Sequence, residues 1–277
     1  LLTASATASY RDRYGCTLHS NEPALPADTA RQRAEQSSDV SPVRSTNSAI
    51  ETAIDALFEE PYEGGRNTLA VLIMHRGEIV AERYAAPVGP STRLQGWSMN
   101  KSLMASFVGV QVGRGVMSLS SGVKDQLAAL DSPESAVSQL DDELTLRHLL
   151  SMASGLDFDE RYFPGDDVTE MLYGHGPMWQ VPLMNGHRID PGTEFVYSSG
   201  DTNVVSYLWQ SSLAGEPYVD WIDREVNDRV NLGAPVLEPD VSGVQVGSSF
   251  AYLTARDWSL YGQWWLDAWH GRDELLS

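Results

Sequence analysis

Residues 97–113 constrain the fold of this chain more than any other stretch. After the first turn their side chains are mostly apolar, so the sequence predicts a helix that lies largely buried. Ser98 and Lys101 stand where this helix begins, and residues with that spacing share one helical face. A lysine in a buried helix is costly unless its charge has a partner. We therefore expect the Lys101 amine to contact the Ser98 hydroxyl.

This pair suggests a specific chemistry. A serine hydroxyl is a weak nucleophile until a neighbouring base takes its proton. Lysine can be that base where burial and a positive field favour its neutral form, and a helix N-terminus supplies both such a field and free N–H donors for an oxyanion. A Ser-x-x-Lys pattern alone is common on surface helices. The apolar neighbours of Lys101 favour a buried role over a side chain that extends into solvent.

A third candidate, Tyr197, follows the turn Pro191-Gly192 and precedes a helix expected near Asp201. Its hydroxyl, beside a lysine cation, could carry a proton between Ser98 and a leaving group. The alternative is a tyrosine whose ring only anchors the loop.

The pattern of elements predicts an α/β (α+β) fold, in which an antiparallel sheet is flanked by helices and a helical subdomain is inserted at about 115–240. Residues 1–46 read as a partly irregular extension and residues 47–277 as the domain. The expected elements are a helix from Asn47, a hairpin of 68–74 and 78–85, helices over 145–152, 201–213 and 218–230, an extended stretch over 243–253 and a last helix from Thr254.

Composition excludes several classes of partner. The chain has 19 basic and 38 acidic residues and a net charge of -19, which disfavours nucleic acid and anionic lipid surfaces. Its 1 cysteine, Cys16, excludes an internal disulfide, and no apolar run is long enough to span a membrane. The compartment stays open, with a periplasmic or secreted location slightly favoured over the cytoplasm. Residues 1–6 lack the basic start and the full apolar stretch of a signal, so they read as a polar tail.

Three ordered blocks resemble a known family: Trp97-Ser98-Met99-Asn100-Lys101-Ser102, then His148 through Leu156, then Pro191-Gly192 through Tyr197-Ser198-Ser199-Gly200-Asp201-Thr202-Asn203. They are similar to class C β-lactamase-like serine hydrolases, and most of all to the 6-aminohexanoate-dimer hydrolase branch with its related esterases and D-alanyl-D-alanine carboxypeptidases. The resemblance covers about residues 47–277. It implies a β-lactamase/transpeptidase-like fold, an acyl-enzyme on Ser98, acid–base work shared by Lys101 and Tyr197, and a small amide or ester as substrate.

The chain departs from that family in two places. Ser199 stands where many relatives have an asparagine amide, which weakens the case for recognition of a β-lactam. The third family motif, a Lys or His followed by Thr or Ser and Gly on a late strand, is not found in the 277 residues. The resemblance therefore implies that a missing C-terminal segment or a second polypeptide completes the sheet.

Other readings stay open. A β-lactamase or carboxypeptidase, or a catalytically silent binding protein on the same fold, fits the same blocks, and Ser98 could also belong to a Ser-His-Asp triad. His175 and His187 match no metal-ligand spacing, and no phosphate or dinucleotide loop occurs, so neither a metal nor a cofactor is expected. Trp97, Ser199, Tyr173 and Trp179 are the candidates for substrate contacts.

Overall fold

The computed structural model describes residues 7–19, 41–59, 67–174, 176–273 and 276. Its strands are β1 (Thr7–Arg11), β2 (Gly15–His19), β3 (Ala70–His75), β4 (Glu78–Tyr84), β5 (Leu94–Gln95), β6 (Val236–Leu237) and β7 (Ala251–Leu253). β1 pairs with β2, β3 pairs with β4, and β7 lies between β5 and β6; all of these pairs are antiparallel.

Helices fill most of the chain between these strands. They are α1 (Ser48–Phe58), α2 (Asn100–Gly113), α3 (Val123–Ala129), α4 (Glu134–Val137), α5 (Leu146–Leu150), α6 (Asp167–Tyr173), α7 (Ser199–Ser211), α8 (Tyr218–Ile222), α9 (Asp228–Val230) and α10 (Ala255–Trp269). Short 3₁₀ segments cover Trp97–Met99 and Met178–Leu183, and a π-helical turn, Asp223–Asn227, joins α8 to α9. The predicted mixture of helices and antiparallel strands is confirmed.

Local signals in the sequence set several of these boundaries. Arg76 and Gly77 both have positive φ, at 55° and 81°, which suits the tight turn of the β3–β4 hairpin. The Asn47 side chain accepts a hydrogen bond from the backbone N–H of Ala49 and so begins α1. Thr254 and Asp257 form the predicted capping box at the start of α10.

One expectation about the strands was wrong in part. Only Ala251–Leu253 of the predicted extended stretch 243–253 forms a strand. The Asp240 carboxylate accepts hydrogen bonds from the Ser242 and Val244 N–H groups and bends the chain there, and the Val246 carbonyl accepts from the N–H groups of residues 249 and 250 in a second turn. Within the extension 1–46, which was expected to be partly irregular, the described residues 7–19 form the β1–β2 hairpin, an element that the sequence did not predict. Residues 1–6 and 20–40 lie outside the described part of the chain.

An aromatic cluster joins the central helices. Phe107 of α2 stacks on Trp209 of α7 with 5.1 Å between ring centroids, and Trp221 of α8 meets both rings edge-on at 6.0 and 5.2 Å. Phe107 and Trp209 are almost fully buried. Pairs of this kind add to the stability that burial itself provides. The cluster fixes α2 in the middle of the molecule, so the first turn of α2 is rigidly held.

Candidate active site

Ser98 and Lys101 meet at the N-terminal end of α2. Ser98 lies in the 3₁₀ turn Trp97–Met99, and the Lys101 Nζ atom donates a hydrogen bond to Ser98 Oγ at 3.2 Å. The same Nζ atom donates to Ser199 Oγ at 2.9 Å and to the backbone carbonyl of Ser248 at 3.1 Å. Lys101 therefore has three oxygen partners from three separate parts of the chain.

The backbone before Ser98 is held in an unusual conformation. Trp97 has a φ of 45°, which a large side chain rarely adopts and which commonly marks a functional site. The Gly96 N–H donates to the Ala251 carbonyl at 2.8 Å, and a Cβ atom on Gly96 would lie 2.4 Å from Cζ2 of Trp258. The turn that carries Ser98 is thus fixed between β7 and α10, and only glycine fits at position 96.

A paired loop brings Tyr197 to this site. The Gly192 N–H donates to the Ala153 carbonyl at 2.7 Å, and the Val196 N–H donates to the Met152 carbonyl at 2.8 Å. These bonds end the loop with the Tyr197 ring centroid 5.0 Å from Lys101 Nζ, a distance typical of a cation–π contact. The ring is 43% exposed. The structure thus brings together Ser98, Lys101 and Tyr197.

Behind Lys101 lies a carboxylate that is not among the predicted site residues. Ser199 is completely buried; its hydroxyl donates to Glu160 Oε1 at 2.7 Å and its backbone N–H donates to Glu160 Oε2 at 2.5 Å. The Tyr162 hydroxyl also donates to Glu160 Oε1, at 2.9 Å, and burial together with this bond raises the pKa of Tyr162 to about 12. No local pattern in the sequence links Glu160 to Ser199.

A second buried acid lies in the first turn of α7. Asp201 Oδ1 accepts a hydrogen bond from the Ser154 hydroxyl at 2.8 Å, and within the described residues Oδ2 has no partner. Burial, with a smaller contribution from the negative charge of Glu160, outweighs the lowering effect of its hydrogen bonds and raises the pKa of Asp201 to about 7. Asp201 is therefore largely protonated in mildly acidic solution.

A cleft of about 280 Å³ opens beside Trp97. Its aromatic walls are Trp97, Tyr173, Phe250 and Tyr252. Trp97 and Phe250 meet edge-on with 6.4 Å between their ring centroids. Glu238 and Asp240 also line the cleft. Two of the predicted contact residues, Trp97 and Tyr173, are in its wall, and Trp97 directly precedes Ser98 in the chain.

The expectation that Trp179 contacts substrate needs correction. Its indole is only 4% exposed and stacks on Tyr207 with 3.8 Å between ring centroids and 2° between planes. The sequence around Trp179 resembles a loop, but the 3₁₀ segment Met178–Leu183 packs against α7 and seals the ring in the interior. Trp179 therefore belongs to the core.

Of the two histidines considered as metal ligands, His187 forms hydrogen bonds within the protein and His175 cannot be described. His187 Nε2 accepts from the Asp141 N–H at 3.1 Å and Nδ1 lies 3.2 Å from the Ser154 carbonyl, while burial lowers its pKa. His187 thus braces two loops. His175 lies outside the described residues. Among the residues that are described, no helix has the length and apolar character that a membrane span requires.

Known proteins share both the sequence pattern and the fold. The sequence profile of the Beta-lactamase family matches residues 50–265. A 6-aminohexanoate-dimer hydrolase of Paenarthrobacter ureafaciens is 26% identical over 211 residues, which cover 72% of this chain and 52% of that protein. The chain thus spans about half the length of this curated relative.

Two solved structures illustrate the likeness of fold. FmtA from Staphylococcus aureus superposes with a TM-score of 0.63 at 14% identity, over 87% of this chain and 71% of that chain. A class C beta-lactamase superposes with a TM-score of 0.59 at 17% identity, over 84% of this chain and 69% of that chain. At such identities the superpositions establish a shared fold, and the predicted β-lactamase/transpeptidase-like fold is confirmed.

Proposed function

The chain belongs to the Beta-lactamase family, and from that premise we propose that it is a serine hydrolase which cleaves a small amide or ester through an acyl-enzyme on Ser98. The resemblance stated from the sequence is thereby confirmed at the level of the family. The observation that carries the proposal is the 3.2 Å hydrogen bond between Lys101 Nζ and Ser98 Oγ, which pairs an alcohol with a base at a helix N-terminus.

Acylation begins when neutral Lys101 takes the Ser98 hydroxyl proton. The Ser98 oxygen forms a bond to the substrate carbonyl carbon, and the carbonyl oxygen takes up negative charge. The positive end of the α2 helix dipole favours that charge. The bond from carbon to the leaving nitrogen or oxygen then breaks, the leaving group takes the proton from the Lys101 ammonium, and an ester on Ser98 remains.

Tyr197 supports the proton transfers in this scheme. Its ring stands 5.0 Å from Lys101 Nζ, so its phenol belongs to the same small region as the pair. A phenol there can pass the proton from the Lys101 ammonium to the leaving group. In the second half of the reaction a water molecule gives a proton to the Lys101 amine while its oxygen attacks the ester carbonyl carbon. The bond from that carbon to Ser98 Oγ then breaks, the acid leaves, and Ser98 takes the proton back from Lys101.

The aromatic cleft favours an apolar acyl or leaving group of modest size. Its volume of about 280 Å³ lies at the lower end of ordinary ligand pockets. Ser199, at the position of the family's amide, is engaged by Lys101 and Glu160. These two features favour a linear amide or ester, of the kind named for the Paenarthrobacter relative, over a β-lactam.

Labelling with a fluorophosphonate tests the proposal. We expect intact mass spectrometry to show one adduct on the parent protein and none on Ser98→Ala. Turnover of p-nitrophenyl butyrate, a linear amide dimer and a chromogenic cephalosporin then ranks the substrate classes, with the cephalosporin slowest. A parent protein that neither labels at Ser98 nor turns over any of the three would instead be a silent binding protein on this fold.

A further inference from the structure

The direction of each hydrogen bond around Lys101 follows from its partner. A neutral amine has two N–H donors and one lone pair, and to act as base it must turn the lone pair to the Ser98 hydroxyl. The Ser248 partner is a backbone carbonyl, which only accepts. The Ser199 partner is a hydroxyl, which can either accept from the amine or donate to its lone pair. Whether the Ser199 hydroxyl accepts or donates in this hydrogen bond therefore decides where the Lys101 lone pair points.

We propose that Glu160 is a positioning residue for the nucleophile: its carboxylate accepts the hydrogen bond that the Ser199 hydroxyl donates, so that Ser199 accepts from Lys101 and the lone pair of Lys101 is left for Ser98. The inference rests on the proposed function. A carboxylate has no donor, and the 2.7 Å bond from Ser199 Oγ to Glu160 Oε1 uses the one hydroxyl proton of Ser199.

Burial of Ser199 restricts the direction of its hydroxyl hydrogen bond. Ser199 has no exposed surface, so water does not compete for its proton. Glu160 is itself oriented by the Tyr162 hydroxyl at Oε1 and by the Ser199 N–H at Oε2. These contacts orient the Glu160 carboxylate toward the Ser199 hydroxyl.

Glu160 also has a structural task, which must be separated from the proposed one. Its bond to the Ser199 N–H satisfies a free donor in the first turn of α7 and places a negative charge at the positive end of that helix. Ser199→Ala keeps this backbone bond and removes only the hydroxyl. Glu160→Gln keeps the shape but adds an amide donor, which lets the Ser199 hydroxyl turn toward Lys101.

The test is the rate of Ser98 labelling by a fluorophosphonate as a function of pH. Loss of one hydrogen bond to a charged group should slow the high-pH plateau roughly 10- to 100-fold in Glu160→Gln and in Ser199→Ala. The combined variant should be no slower than Ser199→Ala, because Glu160 acts through that hydroxyl. Glu170→Gln, an exposed carboxylate on α6, is the matched control and should label like the parent.

The pH profile distinguishes positioning from a loosened fold. Removing the Glu160 charge disfavours the ammonium form of a nearby amine, so the midpoint of the labelling profile should move to lower pH while the plateau falls. A variant whose fold is merely loosened around the site should have a lower plateau but an unchanged midpoint pH. If Glu160→Gln fails to fold, Ser199→Ala carries the decision, because it leaves the helix cap in place.

Two results would overturn the inference alone. They are a parent that labels on Ser98 while Glu160→Gln or Ser199→Ala stays within about twofold of it, and a combined variant in which the two losses multiply. A parent that does not label on Ser98 removes the proposed function and the inference with it.

Discussion

Lys101 and Lys124 are the only lysines of the chain, and they differ completely in their surroundings. Lys101 has three oxygen partners at the start of α2, whereas Lys124 pairs at 2.6 Å with Asp142, a side chain that is 86% exposed. Exposed ion pairs contribute little to stability. The chain therefore offers a matched pair of lysines with which to test the base.

Lys101→Ala should lower the rate of Ser98 acylation by several orders of magnitude while the chain stays folded. Lys124→Ala should keep the parent rate. Stopped-flow turnover of p-nitrophenyl butyrate gives the rates, and far-ultraviolet circular dichroism checks the fold. Near-normal acylation by Lys101→Ala would remove the lysine from the mechanism.

Asp201 makes a prediction about pH and stability. Its pKa rises from 3.8 to about 7 on folding, chiefly through burial, so between these values the folded chain holds a proton that the unfolded chain has lost. This group's contribution to the free energy of unfolding is therefore full at low pH and falls as pH rises through that window.

Asp201→Asn should remove this dependence. The stability of the variant relative to the parent should rise between pH values of about 4 and about 7. Urea unfolding at several pH values measures the difference, and Asp131→Asn, at an exposed carboxylate, should show no such trend. A constant difference across the window would mean that Asp201 is ionised in the folded protein.

At this scale, sequence identifies what is close along the chain. Ser98 and Lys101 are predictable because helical spacing alone places them together. Glu160 and Ser248 are not, since they lie 39 positions from Ser199 and 147 positions from Lys101 and reach the site only through the fold. The contacts of Glu160 and Ser248 that orient the Lys101 side chain therefore cannot be predicted from local sequence patterns.

At the scale of elements, the segment Met152–Gly155 acts as the support for the Tyr197 loop. Gly155 has a φ of 73° and its carbonyl accepts from the Arg188 N–H at 2.8 Å; a Cβ atom there would lie 2.1 Å from the Ile189 carbonyl oxygen. Contact that close cannot be relieved without moving the backbone. The glycine is thus required for the two segments to meet.

Gly155→Ala should destabilise the fold and slow acylation together, because the loop that ends in Tyr197 is displaced. Gly165 provides the control: its φ is 88°, but nothing lies within 4 Å of an added Cβ atom. Gly165→Ala should cost only about 1 kcal/mol, the price of a left-handed alanine. Thermal melts of both variants measure this, and equal losses would mean that the close approach adds nothing.

Helix ends and turns that are determined by residues adjacent in the sequence were predicted correctly. The caps of α1 and α10 and the β3–β4 turn depend on neighbours in sequence, so their signals survive without tertiary information. The β1–β2 hairpin and the buried position of Trp179 were missed, because both are decided by packing against distant helices. At such positions the burial of side chains, and not the local conformational preference of the residues, determines the structure.

Across the whole molecule, a buried ion pair ties the β1–β2 hairpin to the helices. The Arg13 guanidinium donates to both Asp223 oxygens at 2.9 and 2.8 Å, and both side chains are about 5% exposed or less. Tyr14 beside it is 1% exposed and meets Tyr218 edge-on. The hairpin is therefore part of the core.

Arg13→Met should lower the free energy of unfolding by about 3–5 kcal/mol, since it removes the positive charge that faces the buried Asp223 carboxylate and leaves that negative charge uncompensated by Arg13. Arg188→Met breaks an ion pair that Arg188 forms with the half-exposed Asp157, and should cost about 1 kcal/mol or less. Denaturant unfolding of the two variants gives the comparison. A small loss in Arg13→Met would show that the ion pair contributes little to holding the hairpin against the helices.

The same hairpin has a consequence for biosynthesis. Arg13 and Asp223 are separated by 210 positions, so the ribosome makes the first partner long before the second. At ordinary translation speeds the interval is about 10–40 s. During that time the Tyr14 ring cannot meet Tyr218 of α8, so this part of the core closes only after α8 has been made.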